Sequence, residues 1–269
     1  MVGRNSMRHE WSVPALALAA ALAGCASPPP EPAPPVEVRP DVTARESTPT
    51  PPPIVTRTLG RSVEGQAIDA HALGSGPLVV LFLATIHGNE GAGTPLLERL
   101  RAHLHAHPAL LRGRRAVIVP VANPDGLARG TRHNARGVDL NRNFPAPNFR
   151  AGPSAGGPRP LSEPESRALH ALLGEERPAR IVSIHQPLAC VDWDGPGETL
   201  ARSFASLCGL KVRRLGSRPG SLGSYAGITL GLPIVTLELP PGAPRSRDAL
   251  WERYGPALLA FLANGAPSS

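Results

Sequence analysis

The chain has 269 residues, 41% of them hydrophobic and only 4% aromatic, with 33 Pro and 28 Gly. That apolar content excludes a wholly disordered chain and suits roughly one or two domains. The formal net charge is +7, but 27 of the 28 basic residues are arginine, scattered without interleaved aromatics. This argues against a nucleic-acid partner, which calls for a concentrated basic face and stacking platforms.

In chain order, Arg4 and Arg8 precede an apolar run from Val13 to Leu22. About ten residues are too few to span a bilayer and suit the apolar region of a signal peptide. Leu22-Ala23-Gly24-Cys25 resembles the bacterial lipoprotein cleavage motif. The resemblance implies that residues 1–24 are removed and that Cys25 carries a lipid anchor; an ordinary signal peptide is the alternative. Ala26 stands where aspartate would signal inner-membrane retention, so the expected location is the periplasm, on the outer membrane. Residues 25–53 then form the anchor and a tether. Eleven of the 26 residues from 28 to 53 are proline, which favours extended polyproline II with a reach of up to about 80 Å.

Residues 54–266 read as one domain. The continuous apolar run Pro77–Ala84 predicts a strand buried on both faces, as do Ala116–Val121, Ile181–Ile184 and Pro233–Leu237. Between them, Leu96, Leu97, Leu100 and Leu104 recur at helical spacing. Ser162-Glu163-Pro164-Glu165 reads as a capping box opening a helix through Leu173, and Asp248–Leu262 closes with another. Strand and helix alternate, which predicts a three-layer α/β/α fold with a mixed, mostly parallel central sheet.

In such sheets ligands bind outside the carboxyl ends of the strands. His87 and Glu90 follow the first strand, Asn123-Pro124-Asp125-Gly126 the second and His185 the third, and Glu238 ends the fourth. Two histidines and a carboxylate with an open fourth position form a catalytic zinc arrangement, and a separate carboxylate such as Glu238 supplies a general base. His-x-x-Glu alone is a weak signal. His103, His105 and His107 read as solvated residues near a helix C-terminus, as do His71, His133 and His170 on the surface.

The strings TIHGNEGAG, NPDG, TRHNARGVDLNRNFP, SEPESRAL, SIHQP and TLELP run in order through the domain. Together they resemble the zinc carboxypeptidases related to carboxypeptidase A, and GRSVEGQAI with SIHQPLACVDWDGP is similar to the murein peptide amidases among them. The resemblance implies one Zn2+ per chain on His87, Glu90 and His185, with Asp139 orienting the first histidine. It implies Arg132 as the oxyanion donor, although Arg129 and Arg136 lie close by. It also implies Asn141 and Arg142 as the grip on the substrate's terminal carboxylate, and Glu238 as the catalytic glutamate. The family's mobile tyrosine is missing from Arg213-Arg214-Leu215-Gly216; Tyr225 is expected to line the pocket instead. The implied activity is hydrolysis of the γ-D-glutamyl–meso-diaminopimelate bond of murein peptides. The alternatives are a carboxypeptidase for protein C-termini, an aspartoacylase-like deacylase, and an inactive wall-binding lipoprotein. Pairing of Cys190 with Cys208 stays open, as does the oligomeric state.

Overall fold

The structure is a computed structural model describing residues 53–153, 155–243 and 246–264. The signal segment, Cys25, the tether as far as Pro52 and the last two residues expected in the domain lie outside the described residues.

The four apolar runs form β3 (Leu78–Ala84), β4 (Arg114–Val119), β5 (Arg180–His185) and β8 (Ile234–Glu238). They lie side by side and parallel in the order β4-β3-β5-β8. Antiparallel additions complete an eight-stranded sheet. At one edge is a hairpin of β1 (Val55–Arg61) and β2 (Ala67–Leu73), with β2 against β4. At the other, β6 (Cys190–Asp194) runs antiparallel to β8, followed by the short β7 (Lys211–Val212).

Period-two alternation along the strands divides the core in two. Val80, Phe82 and Ala84 of β3 face one cluster with α1 (Gly93–Ala106), α4 (Glu198–Cys208) and α5 (Arg247–Ala263). Leu81 and Leu83 face the other, with Leu169 and Leu172 of α3 (Pro164–Glu176). Each large side chain withdrawn from water contributes about 1.5–3 kcal/mol, and both faces of the central strands collect it. This is the three-layer arrangement expected from non-alternating strands.

The capping box does not form. Glu163, not Ser162, is the N-cap residue of α3, and no side chain caps it. Ser162 Oγ donates to Glu163 Oε1 instead, while Glu165 accepts from the Val63 amide and from Asn134 Nδ2. Tertiary partners outbid the local motif. Cys190 and Cys208 are buried free thiols, with Cys208 Sγ–H donating to the Phe204 carbonyl at 3.3 Å.

Candidate active site

The site lies where β3, β5 and β8 end. β3 gives way to Thr85, whose positive φ of 55° turns the chain sharply before His87. The next residue must be glycine: a Cβ on Gly88 would fall 1.9 Å from the Gly126 carbonyl carbon. Gly126 belongs to α2 (Pro124–Arg129), capped by Asn123, whose side chain accepts from Gly126 N at 2.9 Å and donates to Ile86 O at 3.3 Å. The His-Gly-Asn-Glu and Asn-Pro-Asp-Gly turns therefore pack as one unit.

Three donor groups converge from this unit and from β5. His87, Glu90 and His185 are buried, with ligand atoms all within 4.8 Å of one another. His87 Nδ1 lies 2.9 Å from Glu90 Oε1, and His185 Nδ1 lies 2.9 Å from Glu90 Oε2. The two Nδ1 atoms are 3.2 Å apart. Each ring is fixed from behind: His87 Nε2 meets Asp139 Oδ1 at 3.1 Å, and His185 Nε2 meets Ser183 Oγ at 3.0 Å. Two aimed imidazole nitrogens and one carboxylate, each with an outer partner, fit a zinc ion by donor chemistry.

The electrostatics agree. Burial pushes the Glu90 carboxyl upward, but hydrogen bonds from His185 and His87 prevail and hold it far below the ordinary range. Asp139 follows the same pattern, held low by His87 and by the charges of Arg132 and Arg142. Burial lowers His87, yet bonds to Asp139 and Glu90 leave it above its ordinary value. Glu238 differs. It ends β8 in register with His185 at the end of β5, and burial pushes its carboxyl up.

Arg132 bridges the acidic groups, Nε donating to Asp139 at 3.0 Å and Nη1 to Glu90 at 3.1 Å. Its neighbours go elsewhere, Arg129 to Glu64 and Arg136 to Glu163, which separates the three arginines. Asp139 also accepts from Asn141 N at 2.9 Å, capping the turn Leu140–Arg142. One carboxylate thus positions both His87 and the Asn141–Arg142 pair. Asn141 Oδ1 accepts from Leu222 N at 2.8 Å, and Arg142 Nη1 donates to Asn141 O at 2.5 Å. Arg132, Asn141, Arg142 and Glu238 line one cavity of about 270 Å³ with the three ligand candidates.

Tyr225 does not join them. It stacks against Phe144 at 6.1 Å and His170 at 5.3 Å between ring centroids, and is absent from the cavity wall. The flat ring finds more contact among aromatics than at a polar rim. His103 stacks on His107 and meets Trp251, which is packing at the end of α1. Sequence reasoning missed Ser183, whose inward position two residues before His185 on a strand was the available signal. The structure also brings in Asp192 and Asp194, both buried on β6 and lining the cavity.

A family model described as zinc carboxypeptidase matches residues 47–191. Murein peptide amidase A of Escherichia coli K12 is 38% identical over 192 residues, 65% of this chain and 75% of that protein. Its counterpart in Vibrio campbellii is 34% identical over 203 residues, covering 68% and 76%. Among solved structures, the murein-tripeptide amidase of E. coli O157 superposes with a TM-score of 0.62 at 32% identity, over 80% of this chain and 94% of that one. Carboxypeptidase A of Helicoverpa armigera shares the fold, with a TM-score of 0.65 at 21% identity over 79% and 69%.

Proposed function

Given that this chain belongs to the zinc carboxypeptidase family, we propose that it hydrolyses murein peptides at the γ-D-glutamyl–meso-diaminopimelate bond. His87, Glu90 and His185 would hold the metal, one ion per chain, since their ligand atoms all lie within 4.8 Å of one another. Bound there, zinc supplies a Lewis acid that polarises a carbonyl and acidifies water. Glu238 takes a proton from the attacking water as its oxygen adds to the amide carbon, then delivers a proton to the departing amine as the C–N bond breaks. A carboxyl raised by burial suits both halves of that exchange. Arg132, with Nε and Nη1 committed to Asp139 and Glu90, offers Nη2 to the oxygen that gains charge. Arg142 and the Asn141 amide hold the carboxylate of the leaving residue, a task for arginine's planar fork.

We infer further that the enzyme works in the periplasm on a Cys25 lipid anchor, on the outer membrane, where a murein substrate is at hand. Arg4, Arg8, the run Val13–Leu22, Leu22-Ala23-Gly24-Cys25 and Ala26 support this placement.

The observation that carries the reading is the convergence of two imidazoles and one carboxylate beside Glu238, in a chain 38% identical to a murein peptide amidase. The test is incubation of the zinc-loaded chain with L-alanyl-γ-D-glutamyl-meso-diaminopimelate and with ordinary C-terminal dipeptides. Chelator-sensitive release of diaminopimelate is the expected result. Turnover of the ordinary peptides alone would move the substrate to protein C-termini.

A further inference from the structure

The cavity has acidic groups that the reaction above does not use. Asp192 and Asp194 are both more than nine-tenths buried, and both line the chamber that holds Glu238 and Arg142. They alternate with Trp193 on β6, so their side chains emerge on one face of the strand. Asp192 Oδ1 accepts from Leu215 N at 2.9 Å and the Trp193 amide also donates to this carboxylate, while Asp194 Oδ1 accepts from Ser217 Oγ and Asp194 Oδ2 has no hydrogen-bond donor among the described residues. Neither makes an ion pair within 4 Å among them. Arg214, whose charge partly offsets theirs, has its guanidinium over the Trp193 ring, 5.6 Å from the centroid, rather than on either carboxylate. The fold makes room for this arrangement. A Cβ on Gly223 would lie 2.1 Å from Asp194 Oδ2, and one on Gly227 2.5 Å from Asp194 Cβ.

A buried carboxylate without a cation is expensive, and two side by side are more so. Burial pushes both carboxyls above their ordinary values, and the charge of Asp194 raises Asp192 further. A positive group between them and Arg142 relieves that burden.

We propose that Asp192 and Asp194 form the specificity subsite for a leaving residue whose side chain carries an ammonium group, while Arg142 and Asn141 hold its α-carboxylate. This rests on the amide-hydrolase reading of the cavity. Within that reading, the pair explains how the enzyme tells a diamino acid from its mono-amino analogue.

The test compares the full zinc-loaded chain on γ-D-glutamyl substrates ending in diaminopimelate or in 2-aminopimelate, which lacks only the distal amine. Wild type should favour diaminopimelate by about 30-fold or more in kcat/KM, as a site built around a polar group rejects the analogue without it. Asp192→Asn and Asp194→Asn should each erase most of that ratio while retaining 2-aminopimelate turnover, which doubles as the check on folding. Equal use of the two substrates by wild type overturns the proposal, whatever the variants do. So does an unchanged ratio in both variants. If wild type cleaves neither substrate, the murein reading fails. The subsite is then read from ordinary peptides ending in lysine or norleucine: a lysine preference lost in the Asn variants upholds it, and no preference sinks it.

Discussion

Glu238 and His185 end neighbouring parallel strands in register, so the proton-handling carboxylate and a metal-ligand imidazole are positioned by the same backbone ladder. Glu238→Gln keeps that ladder and the side-chain shape but cannot take a proton. Turnover should fall by about 10²–10⁴-fold with zinc content unchanged, measured by metal analysis beside kinetics. Asp139→Asn should act differently, weakening zinc binding by about 10–100-fold through the loss of a charged partner to His87 Nε2. Asp192 gives a prediction about stability. Its folded-state pKa is raised, by burial first, so the fold favours its protonated form. That contribution is present below the ordinary aspartate value of about 3.9 and is lost as pH rises through the folded value. Asp192→Asn should therefore raise Tm by about 2–4 °C at neutral pH, with the gain vanishing in acid; a gain that persists at pH 3 would refute the assignment. The ligand residues were legible because each follows an apolar run. Asp192 was not, because an aspartate between Val191 and Trp193 reads as a loop until the strand is seen.

Among the elements, the buried parallel strands were readable from β-branched apolar runs alone. The antiparallel additions were not. β2 is rich in alanine, with Ile68, Ala70 and Ala72 alternating inward, and β6 carries two aspartates. Both are strands because of their neighbours, in the sense that β propensity measures fit to a half-buried surface. The hairpin of β1 and β2 is tied to the site through α2. Fully buried Asp125 accepts from Ser62 Oγ at 2.6 Å, Glu64 N at 3.0 Å and Gln66 Nε2 at 2.9 Å. Asp125→Ala leaves those donors without an acceptor and should destabilise the domain by about 2–4 kcal/mol in denaturant unfolding. Amide exchange should speed up first in β1, β2 and α2, since these share the lost network; uniform loosening would count against it.

For the whole molecule, the proposed arrangement is a catalytic domain on a stiff lead. Eleven of residues 28–53 are proline, a composition that on the proposed anchor would let the enzyme sample a layer of wall rather than a point. Cys25→Ser should shift the chain from the membrane to the soluble fraction without altering kcat on a soluble tripeptide. Retention in the membrane fraction would reject lipidation as the anchor. The net positive charge adds attraction to acidic surfaces, an effect that salt should weaken.

Two shielded thiols have a practical consequence. Cys190 lies in β6 beside the cavity and Cys208 at the end of α4, each sealed from water and neither in a bridge. The described domain needs no disulfide to hold its fold, and an alkylating reagent finds neither of these sulfurs until an element opens. The two sulfurs time separate events: modification of Cys190 clocks exposure of the proposed specificity wall, and modification of Cys208 clocks detachment of α4. Mass-resolved labelling of the intact enzyme would then show which part of the molecule opens first.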